Sequence, residues 1–176
     1  SSKDLIVLDE PITNLDAKLR EEMILEIQRI QQRIGTTILY ITHDQEAALR
    51  LCDRIAVLHH DGSIYQLGID EEIVKSPANR FVFTFIGVSN FIPVKTENGS
   101  LYLDLEEKVC VNNDFAEDFG SVPMEMGIRP NDIIFDDTSE IIGKIKSVTF
   151  LGNHYDYFID LYGKQLRVER NALEAL

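Results

Sequence analysis

The sequence predicts an α/β segment followed by an all-β domain, and three observations carry that prediction. Two short apolar runs, Leu5-Ile6-Val7-Leu8 and Thr36 to Thr42, flank an amphipathic helical pattern, which is the order of a βαβ unit. From Asn90 onward only strand-like runs remain, broken by Asn98-Gly99, Asn112-Asn113, Gly120, Gly127, Gly143, Gly152 and Gly163, a spacing that fits a small barrel. The pattern changes near Gly87, which predicts domains at 1–87 and 88–176.

Each element has a local reason. Leu5 to Leu8 ends in Asp9-Glu10-Pro11 and Thr36 to Thr42 ends at His43, and both runs read as strands buried on two faces. Between them Leu19, Met23, Ile27, Ile30 and Ile34 recur at helical spacing and share one face, with Asp16 as N-cap and Gly35 as C-terminal stop. A right-handed crossover makes the strands parallel and brings their carboxyl ends to one edge of the sheet. Asp9, Glu10 and His43 therefore share the edge at which open α/β sheets bind ligands. A second helix, about Gln45 to Leu51, leads into Arg54 to Leu58, and a His60-Asp61-Gly62 turn joins that strand to Ser63 to Leu67 as a hairpin. After Pro77 a short helix carries Phe81, Phe83 and Phe85 and ends near Gly87.

Charge and composition narrow the function. Seventeen basic against thirty acidic side chains give a net charge of −13, spread as −5 over residues 1–87 and −8 over 88–176, which disfavours a nucleic-acid partner. No run approaches the roughly 18 apolar residues of a membrane span and no signal-like segment opens the chain, so a cytoplasmic protein is expected. Cys52 and Cys110 form no CxxC pair and read as small buried hydrophobes. His59-His60-Asp61 reads as a solvated turn, and Gly127 to Asp132, with Arg129, as structural turn chemistry.

Leu-Ile-Val-Leu-Asp-Glu-Pro at 5–11, Thr-Asn-Leu-Asp at 13–16 and Ile-Thr-His-Asp at 41–44, in this order and spacing, resemble the second half of the nucleotide-binding subunit of ABC transporters. Asp53 to Val57, Gly62 to Gly68, Ser76 to Asn79 and Phe81 to Gly87 continue the resemblance. Gly127 to Ile133 and Thr149 to Gly152 resemble the C-terminal accessory domain of importer ATPases that serve sugars, polyamines, ferric iron or sulfate. The resemblance implies part of a P-loop NTPase domain at 1–87 and an OB-like barrel, the TOBE domain, at 88–176. It further implies an ATPase whose whole polypeptide uses ATP and Mg²⁺. Asp9 would hold the metal, Glu10 would orient and deprotonate the attacking water, and His43 would contact the γ-phosphate. Asp16 would belong to the loop that crosses to the second subunit of an ATP-bound homodimer, and Thr13 keeps the hydroxyl of the Ser more usual in the family. The implied partners are that second copy and transmembrane permease subunits, at the cytoplasmic face of the membrane. Phe85-Ile86-Gly87, Asn90-Phe91 and Phe150 to His154 lean towards the polyamine and ferric-iron members.

The sequence contains neither a GxxxxGK[ST] phosphate loop nor a Leu-Ser-Gly-Gly-Gln signature. Without the backbone cradle and lysine of such a loop, Asp9 and Glu10 repel an anion, so the chain alone is expected neither to hydrolyse ATP nor to bind it tightly. The apolar faces and free edges of the Leu5 to Leu8 strand are expected to drive dimerisation or domain swapping. Two other readings stand beside this one: a regulatory and dimerisation module whose barrel binds a small effector or partner protein, and a metal-dependent hydrolase built from Asp9, Glu10 and His43 alone.

Overall fold

A computed structural model describes residues 5–112, 119–120 and 122–173; the expected break at Asn113 lies outside them. The chain divides between Gly87 and Val88 into two compact units.

In the first unit β1 (Leu5–Asp9) and β2 (Thr37–Ile41) pair in parallel, in register from Leu5 opposite Thr37 to Asp9 opposite Ile41. They are joined by α1 (Ala17–Ile34). The Asp16 carboxylate accepts the Leu19 N–H at its start, and Gly35 ends it in the left-handed conformation at φ 65, where a Cβ would be strained. α2 (Gln45–Leu51) follows β2 and is capped by Asp44. β3 (Ile55–Leu58) and β4 (Ile64–Gly68) form an antiparallel hairpin, followed by α3 (Asp70–Lys75) and α4 (Arg80–Phe85). Ile55, Val57, Ile73 and Val82 make a small core of their own, flanked by Tyr65, Phe81 and Phe85. The sequence pattern did not disclose α3, because a six-residue helix with one buried side chain, Ile73, has no period to read.

The structure corrects three expectations. The packed face of α1 centres on Ile24, buried with Ile12 and Ala47, whereas Leu19 and Ile34 at the ends of the expected stripe are exposed. The helix is rotated because Arg20 and Gln28 also lie on the packed side. Arg20 reaches Asp44 and Gln28 donates to the Arg50 carbonyl at 2.8 Å, so a count of apolar residues alone misplaced the stripe. Neither strand is buried on two faces: Leu5, Val7, Leu39 and Ile41 are 46–59% exposed. Only the alternate side chains are covered, Tyr40 lying against the Ile12–Ile24–Ala47 cluster, since a two-stranded sheet with helices on one side has no layer for the other. His59, expected in a solvated turn, stacks on Tyr65 at 4.3 Å and meets the edge of Phe81 at 4.7 Å, while His60 and Asp61 stay exposed.

The second unit is antiparallel throughout. β5 (Asn90–Glu97), β6 (Ser100–Asp104), β7 (Lys108–Asn112) and β8 (Met124–Ile128) form one sheet in the order β7-β6-β5-β8. β9 (Lys144–Phe150), β10 (His154–Leu161) and β11 (Lys164–Asn171) form another in the order β11-β10-β9. Asn98 and Gly99, at φ 51 and 75, make the two-residue turn between β5 and β6 that such a pair encodes. Ile92, Val94 and Leu103 of the first sheet share one core with Tyr157, Ile159, Leu161, Leu166 and Val168 of the second. The buried Asn90 amide stitches the sheets, donating to the Arg167 carbonyl and accepting its N–H, both at 2.8 Å. The Arg167 side chain in turn donates to the buried Asp156 carboxylate at 2.7 Å. Arg129 donates to Ser89 Oγ at 2.7 Å and to the Val88 carbonyl at 3.3 Å, which ties the turn after β8 to the start of β5.

Asn90→Ala removes two hydrogen bonds and strands their backbone partners, so urea unfolding of the second unit should show a loss of about 2 kcal/mol. Replacing Val7 and Leu39 by Thr should leave the circular dichroism spectrum unchanged and lower concentration-dependent self-association in sedimentation velocity, if the uncovered strand face is what associates.

Candidate active site at the carboxyl edge of the parallel strands

The parallel ladder does not stop at Asp9. The Glu10 N–H donates to the Ile41 carbonyl at 2.9 Å, which carries the pairing one residue past the strand. Glu10 itself sits at φ 46, a left-handed conformation that costs a residue with a long side chain roughly 1–2 kcal/mol. The contacts of its carboxylate hold it there. Oε1 accepts the His43 N–H at 2.9 Å and lies 2.7 Å from His43 Nδ1. Oε2 accepts the Thr13 hydroxyl at 2.7 Å and the Thr42 hydroxyl at 3.1 Å. These four donors hold the carboxyl well down, from an ordinary 4.5 to about 2, with the Thr13 hydroxyl the largest cause and the His43 ring next. An ionised Glu10 at 2.7 Å requires the proton on His43 Nδ1, which leaves Nε2 of this largely exposed ring open to a ligand.

The turn that carries His43 is fixed on both sides. The Thr42 hydroxyl donates to Glu10 and accepts the Asp44 N–H at 2.9 Å. The Asp44 carboxylate caps α2 at the Ala47 N–H, at 3.0 Å, and takes Arg20 at 3.1 Å. Asp9 differs from its neighbour: it ends β1 exposed, and its carboxylate makes no hydrogen bond or ion pair with any described residue. Asp16 stays apart, exposed, with its side chain engaged by the first turn of α1.

The residues present fit a magnesium ion of the substrate-bound kind. Mg²⁺ keeps several waters and takes one or two carboxylates together with substrate phosphates, so a carboxylate at a strand end that engages none of the described residues, such as Asp9, suits it. A hydrolase metal held by the protein alone needs more ligands, and among the described residues no three His, Cys, Asp or Glu side chains form such a cage. Cys52 and Cys110 are half-buried, and burial pushes the Cys52 thiol up, so Cys52 is not an activated nucleophile.

Residues 126–175 match the family model of the TOBE domain. The chain is 39% identical over 160 residues to the spermidine/putrescine import ATP-binding protein PotA of Clostridium acetobutylicum, an alignment covering 89% of this chain and 44% of that protein. It is 41% identical over 162 residues to the Fe(3+) ions import ATP-binding protein FbpC of Fusobacterium nucleatum, covering 90% of this chain and 43% of that one. The PotA of Onion yellows phytoplasma is 38% identical over 155 residues, at 86% and 36% coverage. The chain corresponds to the C-terminal portion of ABC importer ATP-binding proteins of the PotA and FbpC type, with its TOBE domain, and it spans less than half the length of these relatives.

The geometry joins Glu10 to His43 beside Asp9, and it leaves Asp16 in a separate capping role. The residues that sequence reading passed over are Thr42 and Arg20. Thr42 stood inside the Ile-Thr-His-Asp motif, and only its hydroxyl's reach to a neighbouring strand end gives it meaning. Arg20 carried no sequence signal, because its partner lies 24 residues away.

A carboxyl held at about 2 against 4.5 when unfolded contributes stability that is complete above the higher value and lost as pH falls through the lower. Thermal melting of wild type and Glu10→Gln should therefore differ at neutral pH, and the difference should close between about 4.5 and about 2.

Proposed function

We propose that this chain is part of the ATP-hydrolysing subunit of an ABC importer for polyamine or ferric iron, with residues 1–87 serving in the nucleotide-binding domain and 88–176 as the accessory domain. The observation that carries the reading is the meeting of Glu10 with His43 at the carboxyl edge of the parallel strands, beside an exposed Asp9. The relatives' names, spermidine/putrescine and Fe(3+) import, support the choice of solute. Sugar or sulfate is a less supported choice.

Asp9 would hold a bound Mg²⁺, which would supply neutralisation of the phosphate charge during γ-phosphoryl transfer. Glu10 accepts a hydrogen bond from the attacking water and orients it. With four donors on its carboxylate it is a weak base, so proton abstraction follows release of the Thr13 or His43 contact, which returns it towards ordinary carboxylate basicity. His43, held by its N–H and Nδ1, directs Nε2 to the γ-phosphate and registers its presence. Asp16 sets the start of α1, and its loop meets a second copy of the subunit. Permease subunits hold the dimer at the cytoplasmic face of the membrane. Without a phosphate loop, this chain by itself turns over no ATP. A second reading, a dimerisation and effector-binding module, draws on the exposed β9, whose Ile145, Val148 and Phe150 leave the edge of the core uncovered.

Malachite-green phosphate release should be at background for this chain and robust for an importer subunit containing it. In that subunit Glu10→Gln should lower turnover by roughly 10²- to 10⁴-fold. Full turnover in the variant would refute the assignment of the base, and uptake into vesicles of spermidine against ferric iron decides the solute.

A further inference from the structure

We infer that Arg20 is a positioning residue for His43, acting through Asp44. Its kinetic consequence rests on the ATPase reading above, and its structural consequence does not.

Arg20 lies one turn into α1, where its N–H bonds the carbonyl of the capping Asp16 at 2.9 Å. Its guanidinium forks across the start of α2, Nη1 to Asp44 Oδ2 at 3.1 Å and Nη2 to Glu46 Oε2 at 3.4 Å. Asp44 is the residue after His43, and its side chain is only 18% exposed. Its other oxygen caps Ala47, and its N–H donates to the Thr42 hydroxyl, which in turn donates to Glu10. The His43 turn is thus pinned at Thr42 by Glu10 and at Asp44 by Arg20, so the ring meets the Glu10 carboxylate in one orientation. Arg20 makes no hydrogen bond or ion pair with Glu10 or His43.

The chemistry of the fork explains the residue type. Two carboxylates on the first turn of one helix need a planar donor that reaches both, and a guanidinium has that geometry where an ammonium has a single point charge. Half-exposed pairs of this kind contribute little to stability, so the effect belongs to the geometry of the site more than to folding. The same side chain links the helix that begins at Asp16 with the turn that carries His43, two segments that the chain order keeps apart.

The test has two arms. In this chain, ¹⁵N–¹H and imidazole NMR signals of His43 at fixed neutral pH should move in Arg20→Gln towards those of Glu10→Gln, with Arg20→Lys intermediate. In an importer subunit containing the chain, Arg20→Gln should lower kcat roughly 10- to 100-fold while KM for ATP stays within about twofold, and Arg20→Lys should recover part of the loss. His43 signals unmoved in Arg20→Gln would overturn the inference. So would an unchanged kcat in a subunit whose turnover Glu10→Gln abolishes. Should Glu10→Gln leave turnover intact, the ATPase reading fails and the NMR arm decides the positioning role alone. If Arg20→Gln does not fold, Arg20→Lys takes its place: an intermediate shift with an intermediate kcat supports the positioning role, and wild-type values of both overturn it.

Discussion

The parallel pairing of β1 with β2, and its extension by the Glu10 N–H to the Ile41 carbonyl, is the constraint on which the rest of the first unit depends. A shift of the register by one residue would turn every alternate side chain to the opposite face and separate Glu10 from the turn after β2. With the register as it stands, Glu10 falls level with Thr42 and His43, and its carboxylate closes the gap between the two strand ends. The left-handed backbone at Glu10 is a strain that the four donors offset locally, and such strain is common where a site needs one side chain aimed in one direction.

Two adjacent carboxylates thereby acquire different chemistry. Glu10 is saturated and strongly acidic, so in this arrangement it is an anchor for His43 first and a base only after a contact opens. Asp9 is exposed and engages none of the described residues, which suits a ligand to a hydrated cation. Environment separates the roles that residue type leaves equal. The polar chain from Glu10 through Thr42 and Asp44 to Arg20 extends this order into α1, so the helix that covers the sheet also takes part in fixing its edge.

The second unit solves a different problem. Two antiparallel sheets share a core, and the Asn90 amide with the Arg167–Asp156 pair satisfies the polar groups enclosed between them. At β9 the enclosure is incomplete: Ile145 and Val148 stand opposite Ile159 and Tyr157 in the ladder, yet are 43% and 49% exposed. Burial therefore falls from the middle of that sheet to its free edge.

Much of this was legible in the residues. The βαβ order, the Asp16 and Gly35 caps, the Asn98-Gly99 turn and the convergence of Asp9, Glu10 and His43 on one edge all follow from local signals: short-range capping, positive φ and the handedness of the crossover. The fold class and the family motifs belong to the same category. The rotation of α1 onto Ile24, the exposure of Leu5, Val7, Leu39 and Ile41, the stacking of His59 on Tyr65 and the fork of Arg20 on Asp44 and Glu46 do not. Each of these depends on which surface faces another across long stretches of chain. The sequence by itself determined the helices and strands of the first unit other than α3, because period and capping are governed by neighbours within a few residues, and the handedness of the crossover brought the two strand ends to one edge. Only the tertiary structure decided which faces are covered and which donors saturate Glu10, because burial and hydrogen bonding are settled by packing partners far apart in the chain.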